Sequence, residues 1–147
     1  MIHHHLILRV VTKLVVGAIM LFAFYVQFHG DFSPGGGFQA GVIMAVAFII
    51  YGIVFGLKTV KEVLPPWFVH KLVAAGVLIY AGTGVYGMMM GFDFLDYDAL
   101  QPDYPVGGQH WGLLLVEFGV GVTVTGVMIA IYYAFAGRVP RIRDEWW

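Results

Sequence analysis

The chain has 147 residues, 60% of them hydrophobic and 12% charged, with a mean hydropathy of +0.83. A soluble domain is about half apolar and about a quarter charged, so this chain has too few charges to wet a surface of its own size. Its net charge is -1, no basic face carries interleaved aromatics to bind nucleic acid, and the absence of cysteine excludes disulfides, thiolate chemistry and cysteine-ligated metal.

The apolar residues fall in long runs, which points to lipid as the solvent. A membrane helix needs about 20 mainly apolar residues, and four segments qualify. The first runs from about Leu8 to Phe28, with Arg9 and Lys13 at its start. It imitates a signal peptide, but its apolar run continues through Tyr25 and Phe28 with no small-residue cleavage site, so it reads as a retained helix. His3, His4 and His5 before it carry no assignment.

Next comes His29-Gly-Asp-Phe-Ser-Pro-Gly-Gly-Gly-Phe-Gln39, the most unusual stretch of the chain. Three glycines after a proline let the backbone bend and approach other groups closely. By local physics it is a tight hairpin between two spans, with Pro34, Gly35, Gly36, Gly37, Phe38 and Gln39 as its structural core. Free N–H groups at the helix start that follows can receive an anion or a carbonyl. His29 and Asp31 are polar candidates for an ion path here, but two ligands do not make a metal site.

The second segment runs from about Phe38 to Leu57 and the third from about Leu72 to Met90, both without a formal charge. In the third, Gly82-Thr-Gly84-Val-Tyr-Gly87 matches a dinucleotide-binding pattern but lies inside a span, where no strand precedes it and no phosphate can reach it. Close helix packing is the better reading, and Gly87 with Gly91 fits it.

The fourth segment runs from about Gly112 to Phe135 and holds one charge, Glu117. Glu117 lies roughly 8–9 Å along the helix from Trp111, inside the hydrocarbon. A charge there pairs, protonates or faces a wet cavity. His110, Glu117, Gly121 and Thr125 share roughly one side of this helix. Such a stripe suits a proton or cation path, with Glu117, His110 and Thr125 as candidates. It equally suits a hydrogen-bonded contact with another helix.

Arg9, Lys13, Lys58, Lys61, Lys71, Arg138, Arg141 and Arg143 all lie near the termini or between the second and third segments. The other two connections carry Asp31, Asp93, Asp96, Asp98 and Asp103 instead. The positive-inside rule then puts both termini in the cytoplasm. Trp67 and Trp111 are expected to flank the third and fourth helices on opposite sides, with Trp146 and Trp147 closing the tail. The expected fold class is therefore an all-α integral membrane protein with four transmembrane helices, forming one domain over residues 1–147. No nucleophile-base set, phosphate loop or H-E-x-x-H pattern is present, so no enzyme and no cofactor are expected.

Three stretches carry a family resemblance: FHGDFSPGGGFQAGVIMA at Phe28–Ala45, Asp93-Phe-Leu-Asp-Tyr97, and GQHWGLLLVEFGVGVTV at Gly108–Val124. With the opening HHLILRVVTKL at His4–Leu14 they cover nearly the whole chain in order. They resemble the MnhB/MrpB family, the B subunit of multi-subunit Mrp-type sodium/proton antiporters. Ala40 departs from the pattern, in which a second glycine often precedes Gly41.

The resemblance implies a small accessory subunit, needed for assembly or for completing an ion route. It implies partners of the A, C, D, E, F and G types, with Na+ and H+ as the ions carried by the complex. It also implies the plasma membrane of a prokaryote as location, with lipid as surroundings. The alternative is a subunit of the ion-translocating module of a membrane-bound hydrogenase or related respiratory complex.

Overall fold

The computed structural model describes residues 6–30 and 34–138. These form α1 (Leu6–Gln27), α2 (Gly37–Phe55), α3 (Leu57–Val63), α4 (Pro66–Met89) and α5 (Pro105–Ala136), with a 3-10 turn at Tyr97–Leu100 and no strand among the described residues. Four helices, α1, α2, α4 and α5, are long and apolar enough to cross a membrane.

The first two spans agree with the sequence reading to within two residues. The other two start earlier than expected: α4 at Pro66 rather than near Leu72, and α5 at Pro105 rather than near Gly112. Hydropathy marks only the part of a helix that sits in hydrocarbon. The helix itself begins where proline occupies the first turn, a position at which its missing N–H costs nothing. Trp67 and Trp111 consequently lie within α4 and α5 rather than beside them, both well exposed. Trp146 and Trp147 lie outside the described residues, as do Arg141 and Arg143.

The link between the second and third spans holds α3, a helix too short to span. Gly56 separates it from α2 at φ +97°, in the region open mainly to glycine. Val60 and Leu64 turn inward, while Lys58 stays exposed. At the far end of α4, Gly91 at φ +86° closes the helix. The Phe92 N–H donates to the Gly87 carbonyl at 3.1 Å and the Gly91 N–H to Met88 at 3.1 Å, the pairing of a Schellman motif.

The spans pack in a curved row rather than a closed ring, in the order α1, α2, α5, α4. They alternate in direction, so Arg9, Lys13, Lys58, Lys61, Lys71 and Arg138 gather at one end of the molecule. Asp93, Asp96, Asp98 and Asp103 gather at the other. At the basic end α3 is wedged onto α5. Ala45, Val60, Leu64, Val69, Ile129 and Tyr133 form the core there. The Tyr133 hydroxyl donates to the Leu64 carbonyl at 2.8 Å, with the Val60 carbonyl 3.3 Å away. Elsewhere the spans are thinly covered. In α1 only 11% of the apolar window is buried, the surface expected of a helix facing lipid or neighbouring chains.

Candidate functional site

Two faces of α5 do different work. One carries Gly112, Gly119 and Gly126, spaced by seven. A Cβ on Gly119 would fall 2.9 Å from the Gly76 carbonyl oxygen, and one on Gly126 would fall 3.2 Å from that of Val69. Gly112 receives the ring of Tyr97. Small residues here let α5 and α4 approach backbone to backbone, as in membrane bundles.

The other face carries Glu117, Gly121 and Thr125, and it meets α1 and α2. Thr125 is 9% exposed and donates to the Gly121 carbonyl at 2.7 Å, with the Gly41 carbonyl at 3.2 Å. A Cβ on Gly41 would sit 2.6 Å from the Gly121 oxygen. Ala40 beside it is 4% exposed, so its methyl group fits the contact while Gly41 makes the close approach. The side-chain oxygen of Gln27, at the end of α1, lies against Gly121.

Glu117 stands one turn from Gly121, towards the acidic end. Its half-buried carboxylate lies against the backbone at Gly30 and Gly36. A Cβ on Gly30 would fall 2.7 Å from Oε1, and one on Gly36 would fall 2.9 Å from the same atom. A Cβ on Gly37 would run into the Glu117 main chain, with the carbonyl carbon 2.7 Å away. Gly36 itself is at φ +120° and ψ -179°, a conformation essentially restricted to glycine. The Gly36 N–H donates to the Val26 carbonyl at 3.3 Å, which folds this stretch back on the last turn of α1. Gly37 is therefore required by the Glu117 main chain and Gly36 by its own backbone conformation, while Gly30 leaves room for the carboxylate.

Beside this arrangement lies a cavity of about 260 Å³, set between α1, α2, α4 and α5. Phe24, Phe48, Phe68 and Phe118 line it, with Gln27 and Thr125 among its few polar members. Among the described residues every buried side-chain nitrogen or oxygen has a partner.

The other sequence candidates lie as follows. His29 places Nδ1 3.1 Å from the Tyr25 carbonyl and stacks on the Tyr25 ring, centroids 4.0 Å apart. His110 is exposed, edge-on to Trp111. Asp31 lies outside the described residues, as does Ser33. Of the hairpin residues, Pro34, Phe38 and Gln39 are exposed, whereas Gly36 and Gly37 are buried against α5. Of the expected stripe, Glu117, Gly121 and Thr125 share the face towards α1 and α2; His110 lies about two turns before Glu117, near the start of α5.

One packing expectation is corrected. The glycines of Gly82–Gly87 do not receive a second helix. Gly84 holds the Phe94 ring, and a Cβ on Gly87 would meet the Asp93 and Asp96 carbonyl oxygens at 3.1 and 3.3 Å. Gly82 and Gly91 face open space. These small residues seat the connection to α5 instead. Sequence reasoning missed the glycine seam of α5, although its seven-residue spacing was there to be read. It also missed Gln27 and Gly30, for which no local signal exists.

A model of the domain related to the MnhB subunit of Na+/H+ antiporter matches residues 7–130. Several relatives carry a name as antiporter subunit mnhB2, among them the following two. That of Staphylococcus haemolyticus (strain JCSC1435) is 38% identical over 133 residues, 89% of this chain and 94% of the relative. That of Staphylococcus aureus (strain Newman) is 37% identical over the same shares. The hairpin and the Glu117 block lie within the matched region, and the chain belongs to the MnhB family.

Proposed function

We propose that this chain is a small accessory membrane subunit of a multi-subunit Na+/H+ antiporter. The observation that carries the reading is the family match, which spans all but the last turns of the described fold. The relatives are named as antiporter subunits, so the hydrogenase alternative is not favoured. The chain acts as a component of a transporter rather than as an enzyme. Its thinly covered spans supply the contact surface for A-, C-, D-, E-, F- and G-type partners.

The segregation of charge supports an orientation with the basic end, and hence both termini, in the cytoplasm of a prokaryotic cell. Glu117 and the glycines around it are then the part nearest the ion route, close to the external face. His29, His110, Thr125 and Asp31 are the other candidates for that route.

The test is purification in mild detergent followed by transport. Tagged chain is expected to bring down the other subunits, and its deletion to abolish Na+/H+ exchange in inverted vesicles. Recovery of a stable monomer, with exchange intact in the deletion strain, would remove the reading. Within the complex, Glu117→Gln is expected to assemble normally and shift the pH profile of exchange. An unchanged profile with Glu117→Ala as well takes Glu117 off the route.

A further inference from the structure

Helix α2 begins without a cap of its own. Its N-cap residue is Gly36, which has no side chain, and no acidic residue stands in its first turn. The first N–H groups of a helix have no intrahelical acceptor, and the aligned peptide dipoles place partial positive charge there. In water this end would be solvated. Here it is packed on α5, with Gly36 and Gly37 both buried.

A carboxylate from another helix fills the place. Glu117 Oε1 lies 2.9 Å from where a Gly36 Cβ would be, so the carboxylate stands beside the residue at which a cap side chain would begin. An acidic N-cap on Gly36 itself is barred by that same oxygen and by the φ of +120°. Gly30, on the other side, lets the carboxylate enter. The three glycines and the acid thus make one unit, in which α5 supplies what α2 lacks.

We propose that Glu117 is the N-cap of α2, delivered from α5, and that it works in its ionised form. An anion is favoured at a helix N-terminus, whereas a neutral carboxylic acid or amide there loses the charge-dipole attraction. Proton uptake by Glu117 therefore loosens the first turn of α2, and ordering of that turn releases the proton. Among the described residues, the titratable groups nearest this point are His29 just after α1, His110 two turns before Glu117 on α5 and Tyr80 on α4 beside Gly119. The first turn of α2 carries no charge. Glu117 is in this sense a positioning residue for α2, whatever ion passes near it.

Amide hydrogen exchange of the intact complex, read on the peptide covering Gly37–Gly41, tests this. At neutral pH, Glu117→Gln is expected to lower protection of that turn about fivefold, the usual worth of a cap. Glu117→Asp, which keeps the charge, is expected to restore part of it. Protection in the parent should fall towards the Gln level as pH is lowered from about 7 to about 3, through the carboxylate range. Protection in the Gln variant should stay flat. Equal protection in parent and Gln variant, or the same pH response in both, would overturn the proposal. The parent's pH response needs no variant, so a Gln variant that fails to assemble leaves that arm standing. Because the readout is exchange at one helix end, it is independent of whether the complex carries Na+.

Discussion

The two ends of this molecule are held together by opposite means. At the basic end, bulky side chains interlock: Ile129, Val60 and Val69 are almost completely buried, and one tyrosine hydroxyl ties α5 to the end of α3. At the acidic end almost no side-chain volume is buried between α2 and α5. Gly37 meets the Glu117 main chain, Gly41 meets the Gly121 carbonyl, and a carboxylate sits among glycines. A core of large side chains tolerates small adjustments and resists loss of volume. A contact of bare backbones has no slack, so added volume must move a helix. The first arrangement sets how firmly the chain holds, and the second sets where Glu117 stands.

That contrast can be broken most severely at the basic end. Ile129→Ala should leave a void and cost about 2–5 kcal/mol, towards the lower part of that range because lipid also solvates isoleucine. Thermal unfolding of the complex should show the loss, while exchange per surviving complex stays near that of the parent. Gly37→Ala should cost less stability, about 1–3 kcal/mol of overpacking, yet lower exchange per complex more. The reverse ranking in vesicles would abolish the division between the two ends. Gly17→Ala is the matching control, since nothing lies within 4 Å of the Cβ it adds.

Tyr133→Phe sharpens the comparison with a smaller change. It removes the hydroxyl that Leu64 accepts from, at an expected cost of about 1 kcal/mol in thermal unfolding and with no effect on hydrogen exchange at the start of α2. Smallest of all is the alkaline behaviour of Tyr97, which lies between the spans and packs its ring on Gly112. Burial, with Tyr80 adding, holds its phenol above the ordinary value near 10.0. The neutral phenol is thus favoured in the folded state. Its contribution is complete below the ordinary phenol range and is lost as pH rises through the raised value. Thermal melts above about pH 10 should fall less steeply for Tyr97→Phe than for the parent.

Orientation has its own check. Single cysteines at Asp98 and Lys61 in intact cells should differ, with an impermeant maleimide labelling only the first. The opposite pattern inverts the assignment.

Most of the architecture was legible because hydrocarbon imposes it. Runs such as Gly41–Phe55 contain no charge to compete with burial in lipid, so the spans follow from length alone. Helix starts were misplaced where Pro66 and Pro105 extend the helix into water, which a hydropathy reading does not see. Glu117 and the glycine stretch were each visible as anomalies, and so was the uncapped start of α2 as an anion receiver. That they answer one another was not visible. Residues 36 and 117 are far apart in sequence, and nothing local in either names its partner. Gly30 shows the limit most clearly, because the group that approaches its bare backbone is a carboxylate on another helix.

Helix α5 is 32 residues long, about 48 Å at 1.5 Å per residue, and has no proline after its first position. Glu117 and Tyr133 are about 24 Å apart along its axis, so one helix carries the acid towards one end of the molecule and the tying hydroxyl at the other. Between them lie Gly119, Gly121 and Gly126, and the Thr123 and Thr125 hydroxyls donate back to the Gly119 and Gly121 carbonyls, the kind of contact at which helices bend. How much of a shift at the acid reaches the hydroxyl is therefore set by the glycine-rich middle of this one helix.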